Sequence, residues 1–323
     1  VSTFNRPHNL PGLVAALEKQ DLDPDEFELI VVDNGSGPPT WEALAELVGA
    51  SARRALGARL EVNRGPGGGR NAGVALARAP LVAFTDDDCL PTPGWLPALL
   101  HTFEENPHVE VVQGRVAPDP EGVAAAGPWD HTVDIGGQTP WFETCDVAYR
   151  SSALARVGGF DESDELTGRG EGGRAFGEDA VLAWKVLQSG GEAAFVPEAL
   201  VHHRVVPATF QKTLSEWRHF QGFPGLVKRS GVVRDSLFLG LFLNRQTARF
   251  DLALVGIAGA LITRRPVLAV AALPWLRWRW PVARRQAGGT REALVLLAQR
   301  GAIEGVGLAS LIEGSARHRR LVL

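Results

Sequence analysis

At 323 residues, with 45% hydrophobic and 22% charged side chains, the chain is long enough for one large or two smaller globular domains, and its composition excludes a disordered or fibrous protein. The net charge of −4 hides a split: residues 1–203 hold 14 Lys and Arg against 31 Asp and Glu, whereas residues 204–323 hold 19 against 6. The acidic part suits a divalent cation and the basic part an anionic surface, phospholipid headgroups or a phosphorylated acceptor, with no motif for nucleic acid. Cys89 and Cys145 have no paired spacing, which points to a reduced, cytoplasmic chain. No signal peptide is visible, and Val1 falls inside a strand pattern in a sequence without methionine, so the first strand reads as truncated.

In chain order, Val1 to Phe4 reads as the end of a strand, and Leu13, Val14 and Leu17 give an amphipathic helix after Asn9 and Pro11. Glu28 to Val32 is a continuous apolar run, as in a strand covered on both faces, and it ends in the polar loop Asp33 to Gly37. A helix is expected from about Thr40 to Arg53 and a third strand over Leu60 to Val62. The loop from Asn63 to Gly73 follows, rich in glycine, and a helix through Ala79. A fourth strand, Pro80 to Thr85, runs directly into Asp86, Asp87 and Asp88. Three like charges at the end of a buried strand raise the cost of folding unless a cation sits among them; the bland alternative is a solvated loop tip. Alternating strands and helices predict an open α/β sheet with a parallel core, whose ligand crevice lies outside the carboxyl ends of the strands. The loops at Asp33, at Gly65 to Arg70 and at Asp86 to Asp88 all fall at those ends. The glycine-rich loop matches neither the dinucleotide fingerprint nor a Walker A sequence.

The blocks VSTFNRP, ELIVVDNGS, NRGPGGGRNAG, LVAFTDDDC, DVAYRSSALARVGGFDE and FGEDAVLAWKVLQSGGEAAFVPEALVHH stand in the order and spacing of a known family. Over about residues 1 to 203 the chain resembles the family 2 glycosyltransferases, with a Rossmann-like GT-A fold. The resemblance implies that Thr3, Arg6 and Asp33 line a nucleotide pocket, Asp33 bonding the base or ribose, with Asn63, Gly67 and Arg70 against the nucleotide. Asp86 to Asp88 then form the element that holds Mg²⁺ or Mn²⁺ on the diphosphate of a UDP-, GDP- or dTDP-sugar, with Asp88 the direct ligand and Asp86 on the ribose or a metal-bound water. Hard cations prefer such carboxylate oxygens. Asp87 either contacts the nucleotide or simply faces solvent or caps the next turn.

On the acceptor side, Trp141 is either a stacking platform for a pyranose or a core residue. Asp146 stands where many relatives carry Asn, and with Asp161 in the GGFDE turn it is a candidate for sugar contacts. Leu166 to Gly177 reads as a mobile lid carrying Arg169 and Arg174, or as a plain flexible loop. In the family the acidic pair Glu178-Asp179 carries the general base, assigned here to Asp179, with Glu178 near the acceptor or sugar; acids are also simply favourable in a first helical turn. Single displacement then inverts the anomeric centre. His203 closes this domain as a metal ligand, a phosphate contact or a structural histidine.

Residues 206–323 form a helical, basic and apolar extension to this domain of residues 1–205. Ser236 to Leu243, Leu252 to Thr263 and Val267 to Trp275 are apolar runs flanked by arginine, each short of the roughly 20 residues a spanning helix needs. In-plane association with the inner face of the cell membrane is expected, with Trp275, Trp278 and Trp280 as interfacial aromatics; the alternative is an internal bundle. Residues 289–323 read as two further helices and a basic tail. The combined expectation is a metal-dependent, inverting transferase acting on a cell-envelope glycan or lipid-linked saccharide. A sugar-nucleotide nucleotidyltransferase and a non-catalytic sugar-binding scaffold remain as rivals.

Overall fold

The computed structural model describes residues 1–51, 54–163 and 177–323. It divides into two compact units, Val1–Ala125 with Thr132–Val205, and Ala126–His131 with Val206–Leu323. The first is an α/β unit and the second is built of helices. Arg169 and Arg174, and with them most of the expected lid, lie outside the described residues.

The α/β unit begins with β1 (Ser2–Thr3), α1 (Leu10–Glu18), β2 (Leu29–Asp33), α2 (Pro38–Ala50) and β3 (Ala55–Arg59), followed by α3 (Gly65–Leu76). β1, β2 and β3 form a three-stranded parallel sheet, in which Thr3 stands beside Asp33 and Asp33 beside Arg59. The third strand thus lies ahead of the expected Leu60–Val62. A Cβ at Gly57 would rest 3.5 Å from the Leu44 and Val48 side chains of α2, so the small residues of ALGAR fit beneath that helix, whereas Val62 is exposed.

The stretch expected as a glycine-rich loop is itself the helix α3. Glycine is a poor helix former, and tertiary packing overrides that preference here. A Cβ on Gly67 would come within 3.1 Å of the Phe160 Cβ, and one on Gly69 within 2.1 Å of the Ser2 Oγ. The helix can lie this close to β1 and the Phe160 turn only without side chains.

A second sheet follows from β4 (Leu81–Phe84), β5 (Cys89–Pro91), α4 (Trp95–Glu105), β6 (Val109–Pro118), α5 (Pro120–Ala124), β7 (Val147–Arg150), α6 (Ser151–Val157), α7 (Glu178–Gln188) and β8 (Glu192–His203). Its order is β4-β7-β6-β8-β5, with β6 and β8 parallel and the other neighbours antiparallel. The sheet is therefore mixed, not the single parallel core expected. β8 is one strand through Pro197: the register jumps from Gly114↔Val196 to Arg115↔Leu200, which lets Pro197 bulge out of the ladder. Leu13, Val31, Val112, Trp95 and Val201 belong to one buried cluster, and Phe84, Tyr149, Phe160 and Leu182 to another.

The helical unit contains α8 (Phe210–Glu216), a 3₁₀ turn at Trp217–Gly222, α9 (Phe223–Arg229), α10 (Gly231–Asp235), α11 (Arg245–Thr263), a 3₁₀ segment at Pro266–Ala272, α12 (Leu273–Gln286) and α13 (Thr290–His318). Asn244 and Thr247 close a reciprocal capping box on α11. Ser236–Leu243, expected among the apolar helices, is a turn: Leu239 and Gly240 take φ of 56° and 68°, and Phe238 bridges Phe242. The two helices expected after residue 289 are one. Its glycines serve packing instead of breaking it, since a Cβ on Gly307 would strike the Trp217 ring and one on Gly314 the Gln221 backbone. α13 is long and apolar enough to cross a membrane by length and composition. Within this unit, however, it buries Glu304, whose carboxylate accepts from Trp275 Nε1 and from Arg279 Nε at 2.7 Å. That contact also corrects the placing of Trp275 at an interface, since it is buried against Phe250.

Candidate active site

The site is assembled where β1, β4 and β8 end. Thr85 Oγ1 donates to the Cys145 carbonyl at 2.9 Å and pins the end of β4, after which Asp86–Asp88 form a turn closed by Cys89 N donating to the Asp86 carbonyl. β5 pairs with β8 so that Cys89 stands opposite His203, and Arg204 N donates to the Asp88 carbonyl at 2.9 Å. This register brings the imidazole to the acid triplet. Thr3, Arg6, Asn63, Arg70, Asp86–Asp88 and His203 line one cleft of about 360 Å³, together with Ser2, Phe4, Asn34 and Pro66.

Each aspartate of the triplet has a different surrounding. Asp87 is buried, with Oδ2 accepting from Thr3 Oγ1 at 2.6 Å and Oδ1 from Arg6 Nη1 at 3.0 Å and Asn9 Nδ2 at 3.3 Å. It ties β1 to β4, and the expectation of a solvent-facing or turn-capping side chain is corrected. Asp86 Oδ1 accepts from Arg70 Nη2 at 2.8 Å. Asp88 Oδ2 accepts from Arg6 at 2.9 Å, and its Oδ1 lies 3.5 Å from His203 Nε2. Burial, with the neighbouring Asp86 charge, raises the Asp88 pKa above the usual carboxylate range against the pull of His203 and Arg6.

The His203 ring is set for ligation. Its Nδ1 lies 2.8 Å from the Arg204 carbonyl, which can only accept, so Nδ1 carries a proton and Nε2 is the ring atom that faces Asp88. Carboxylate oxygens suit Mg²⁺ or Mn²⁺, and an imidazole nitrogen beside them suits the transition ion Mn²⁺ better than Mg²⁺. Cys89 also lies within 4.8 Å of both ligand atoms, but burial pushes its thiol well up, and a protonated sulfur is a poor ligand for a hard cation.

Arg70 connects the triplet to the α7 terminus. Buried in α3, it reaches Asp86 with Nη2 and, with Nη1, Glu178 at 3.1 Å and Asp179 at 3.3 Å. Burial opposes its charge, but Asp179, Asp86 and Glu178 outweigh that cost and its pKa is raised. Asp179 Oδ2 accepts from both Thr144 N (3.1 Å) and Thr144 Oγ1 (3.0 Å). Burial raises the Asp179 pKa, and burial together with the Asp179 charge pushes Glu178 up to about 8. The two carboxylates titrate as a coupled pair, in which burial favours retaining a proton and the Arg70 charge opposes it.

Residues 1–161 match the family model described as glycosyl transferase family 2. The chain belongs to that family. A relative, the pre-mycofactocin glycosyltransferase of Mycobacterium tuberculosis, is 33% identical over 194 residues, covering 55% of this chain and 37% of the relative. The chain spans under two thirds of the length of the curated relatives it matches. Among solved structures, the Pyrobaculum calidifontis mannosyltransferase in complex with GDP-Man and Mn²⁺ aligns over 98% of this chain and 85% of its own, with a TM-score of 0.57 at 19% identity. S. aureus TarS in complex with UDP-GlcNAc aligns over 99% and 90%, with a TM-score of 0.52 at 15% identity. These likenesses place the family 2 chain in the GT-A fold.

Other expected site residues fall elsewhere. Asp146 is fully enclosed: its Oδ1 accepts from Trp95 Nε1 at 2.7 Å, and burial holds its carboxyl well above the ordinary range, so it braces α4 from inside and touches no sugar. Asp33 is also enclosed. Ser36 N donates to its Oδ1, Oδ2 has Arg59 Nε at 3.5 Å and no hydrogen bond among the described residues, and Asp33 does not line the cleft. Gly67 packs on Phe160 rather than lining the cleft. Asn63 lines the cleft and also fixes the turn, its Oδ1 accepting from Gly65 N and Asn34 Nδ2. Asp161 accepts from Ser163 N, while its neighbour Glu162 anchors the turn to Arg64 and Asn71. Trp141 is half-buried on the loop that supplies Thr144 three residues later. Thr144, Asn9 and Trp95 escaped the sequence reading because each works through a long-range partner that no local spacing announces.

Proposed function

We propose that the chain is an inverting glycosyltransferase that moves a sugar from a nucleoside-diphosphate donor to a hydroxyl of a cell-envelope glycan or lipid-linked saccharide at the inner face of the membrane. One observation carries this reading: a single cleft holds the acid triplet and the His203 ring, and Arg70 links that cleft to Asp179, a half-buried carboxylate whose pKa is raised. Asp88 and His203, with Asp86, would hold Mg²⁺ or Mn²⁺. When bound, that ion offsets the negative charge of the departing diphosphate.

The chain's own residues supply the rest. Arg6 and Arg70 carry positive charge into the cleft for the phosphates. Asp179, held by Thr144, takes the proton of the acceptor hydroxyl as its oxygen bonds to the anomeric carbon. The bond from that carbon to the phosphate oxygen breaks on the opposite face, and the nucleoside diphosphate leaves. A half-buried carboxylate with a raised pKa is a stronger base than one in water, and the Arg70 charge opposes its protonation. Trp141 and Asp161 remain candidates for acceptor and sugar contacts.

Binding of UDP-, GDP- and dTDP-sugars, titrated by calorimetry with and without Mn²⁺, tests the reading. One nucleotide is expected to bind in a metal-dependent way, and His203→Ala is expected to weaken the metal requirement's effect on that binding. Absence of metal-dependent binding for all three would overturn it.

A further inference from the structure

Between Leu252 and Pro274 the only charges are Arg264 and Arg265. This stretch is the second half of α11, a turn in which Arg264 takes φ of 57°, and the 3₁₀ segment Pro266–Ala272 folding back. The two arms meet along a narrow seam: a Cβ on Gly256 would lie 2.5 Å from that of Ala271, and Ala253, Gly256 and Ala272 are buried. Nearly everything else is apolar and exposed, with Val255 at 71%, Ile262 at 82% and Val267 at 68%. At 100° per residue, the exposed positions from Leu252 to Ile262 sweep well over half the circumference of α11. A face this large is not left bare on a monomer in water.

We infer that this hairpin is the element by which the chain inserts into an anionic bilayer, lying in the plane of the interface. The inference rests on the membrane-surface reading above and names the segment responsible. Three features select lipid as the occupant and the in-plane orientation. The apolar surface wraps around both arms, so a rigid partner would cover one side and leave the other in water, whereas acyl chains cover both. The twelve residues from Leu252 to Thr263 reach about 18 Å, too short for the roughly 30 Å hydrocarbon core. Arginines at the turn oppose entry tip-first and suit phosphate at headgroup depth, where exposed Arg277 adds a third charge.

Flotation of the full chain with vesicles of phosphatidylcholine, alone or mixed with phosphatidylglycerol, tests this. The wild type is expected to float with the anionic vesicles and to stay partly bound in high salt, because the apolar contribution is not screened. Val255→Ser, Ile262→Ser and Val267→Ser together are expected to lower the bound fraction about tenfold or more. These side chains are exposed, so folding is unaffected. Arg264→Ala with Arg265→Ala is expected to weaken binding at low salt on anionic vesicles only. Ile262→Cys carrying an environment-sensitive fluorophore is expected to shift to the blue on vesicles, the native Cys89 and Cys145 being buried from the reagent. If the triple variant floats like wild type, the hairpin assignment falls and the membrane reading stands. If the wild type ignores anionic vesicles, both fall. Self-association that the triple variant abolishes, without vesicle binding, would make a second copy the occupant.

Discussion

Arg70 is the side chain on which three carboxylates depend. It donates to Asp86, Glu178 and Asp179 from one buried guanidinium, and Thr144 fixes the far oxygen of Asp179. Asp179→Asn keeps the shape and one hydrogen-bonding oxygen, and it leaves Arg70 paired with Asp86 and Glu178. The variant is therefore expected to bind metal and donor nearly as wild type and to lose transfer by at least about a hundredfold, the range of a removed general base. Near-normal turnover would move the base elsewhere. That Asp86–Asp88 need compensating partners was legible because like charges after an apolar strand repel, and Arg6, Arg70 and His203 stand against them. Asp146 misled for the opposite reason. Its sequence block suggests an exposed site residue, and only its pairing with Trp95, 51 positions away, reveals a buried brace. Asp33 is similar, because the Arg59 beside it arrives by strand register that no spacing in the sequence encodes.

At the scale of elements, the strand and helix order of the α/β unit follows from hydrophobic periodicity, and the misreadings concentrate where glycine was taken as a breaker. α3 and α13 are both helices with several glycines, and in both the missing side chain is the space filled by Ser2, Phe160, Trp217 or the Gln221 backbone. Propensity is local, whereas close approach is a property of the partner. α11 carries a second tertiary conflict. Asp251 Oδ2 is enclosed without a hydrogen bond among the described residues, in a cavity of about 180 Å³ that also holds Glu304 of α13 and Arg279 of α12. Burial and the Glu304 charge push the Asp251 carboxyl up to about 6. A native pKa above the unfolded value of 3.8 means that stability is full below that value and declines as pH rises through 6. Asp251→Asn removes the charge and keeps the volume, so its Tm is expected to exceed that of wild type above pH 6 and to converge with it in acid. A gain independent of pH would show that packing, not charge, is relieved.

For the whole molecule, the decisive fact is that each unit has its own core. The α/β unit packs around Val31, Trp95 and Val112 and around Phe84 and Leu182, and the helical unit around Phe250 and Trp275 and around Ala283 and Leu296. The charge split along the chain follows the same division, with the acidic residues in the unit that holds the cleft. Two cores with separate ligands should respond separately. A ligand stabilises only the cooperative unit that binds it, by RT ln(1 + [L]/Kd), about 2.7 kcal/mol at a hundredfold excess over Kd. Scanning calorimetry of the full chain is expected to resolve two transitions. Mn²⁺ with the nucleotide selected by the donor titration should raise one of them and leave the other fixed, and anionic vesicles should act on the other. The Asp251→Asn change should move only the transition that vesicles affect. A single transition, raised by the nucleotide and by the Asp251 variant alike, would mean that the two cores unfold as one, and that a donor bound in the cleft also stabilises the helices that carry the hairpin.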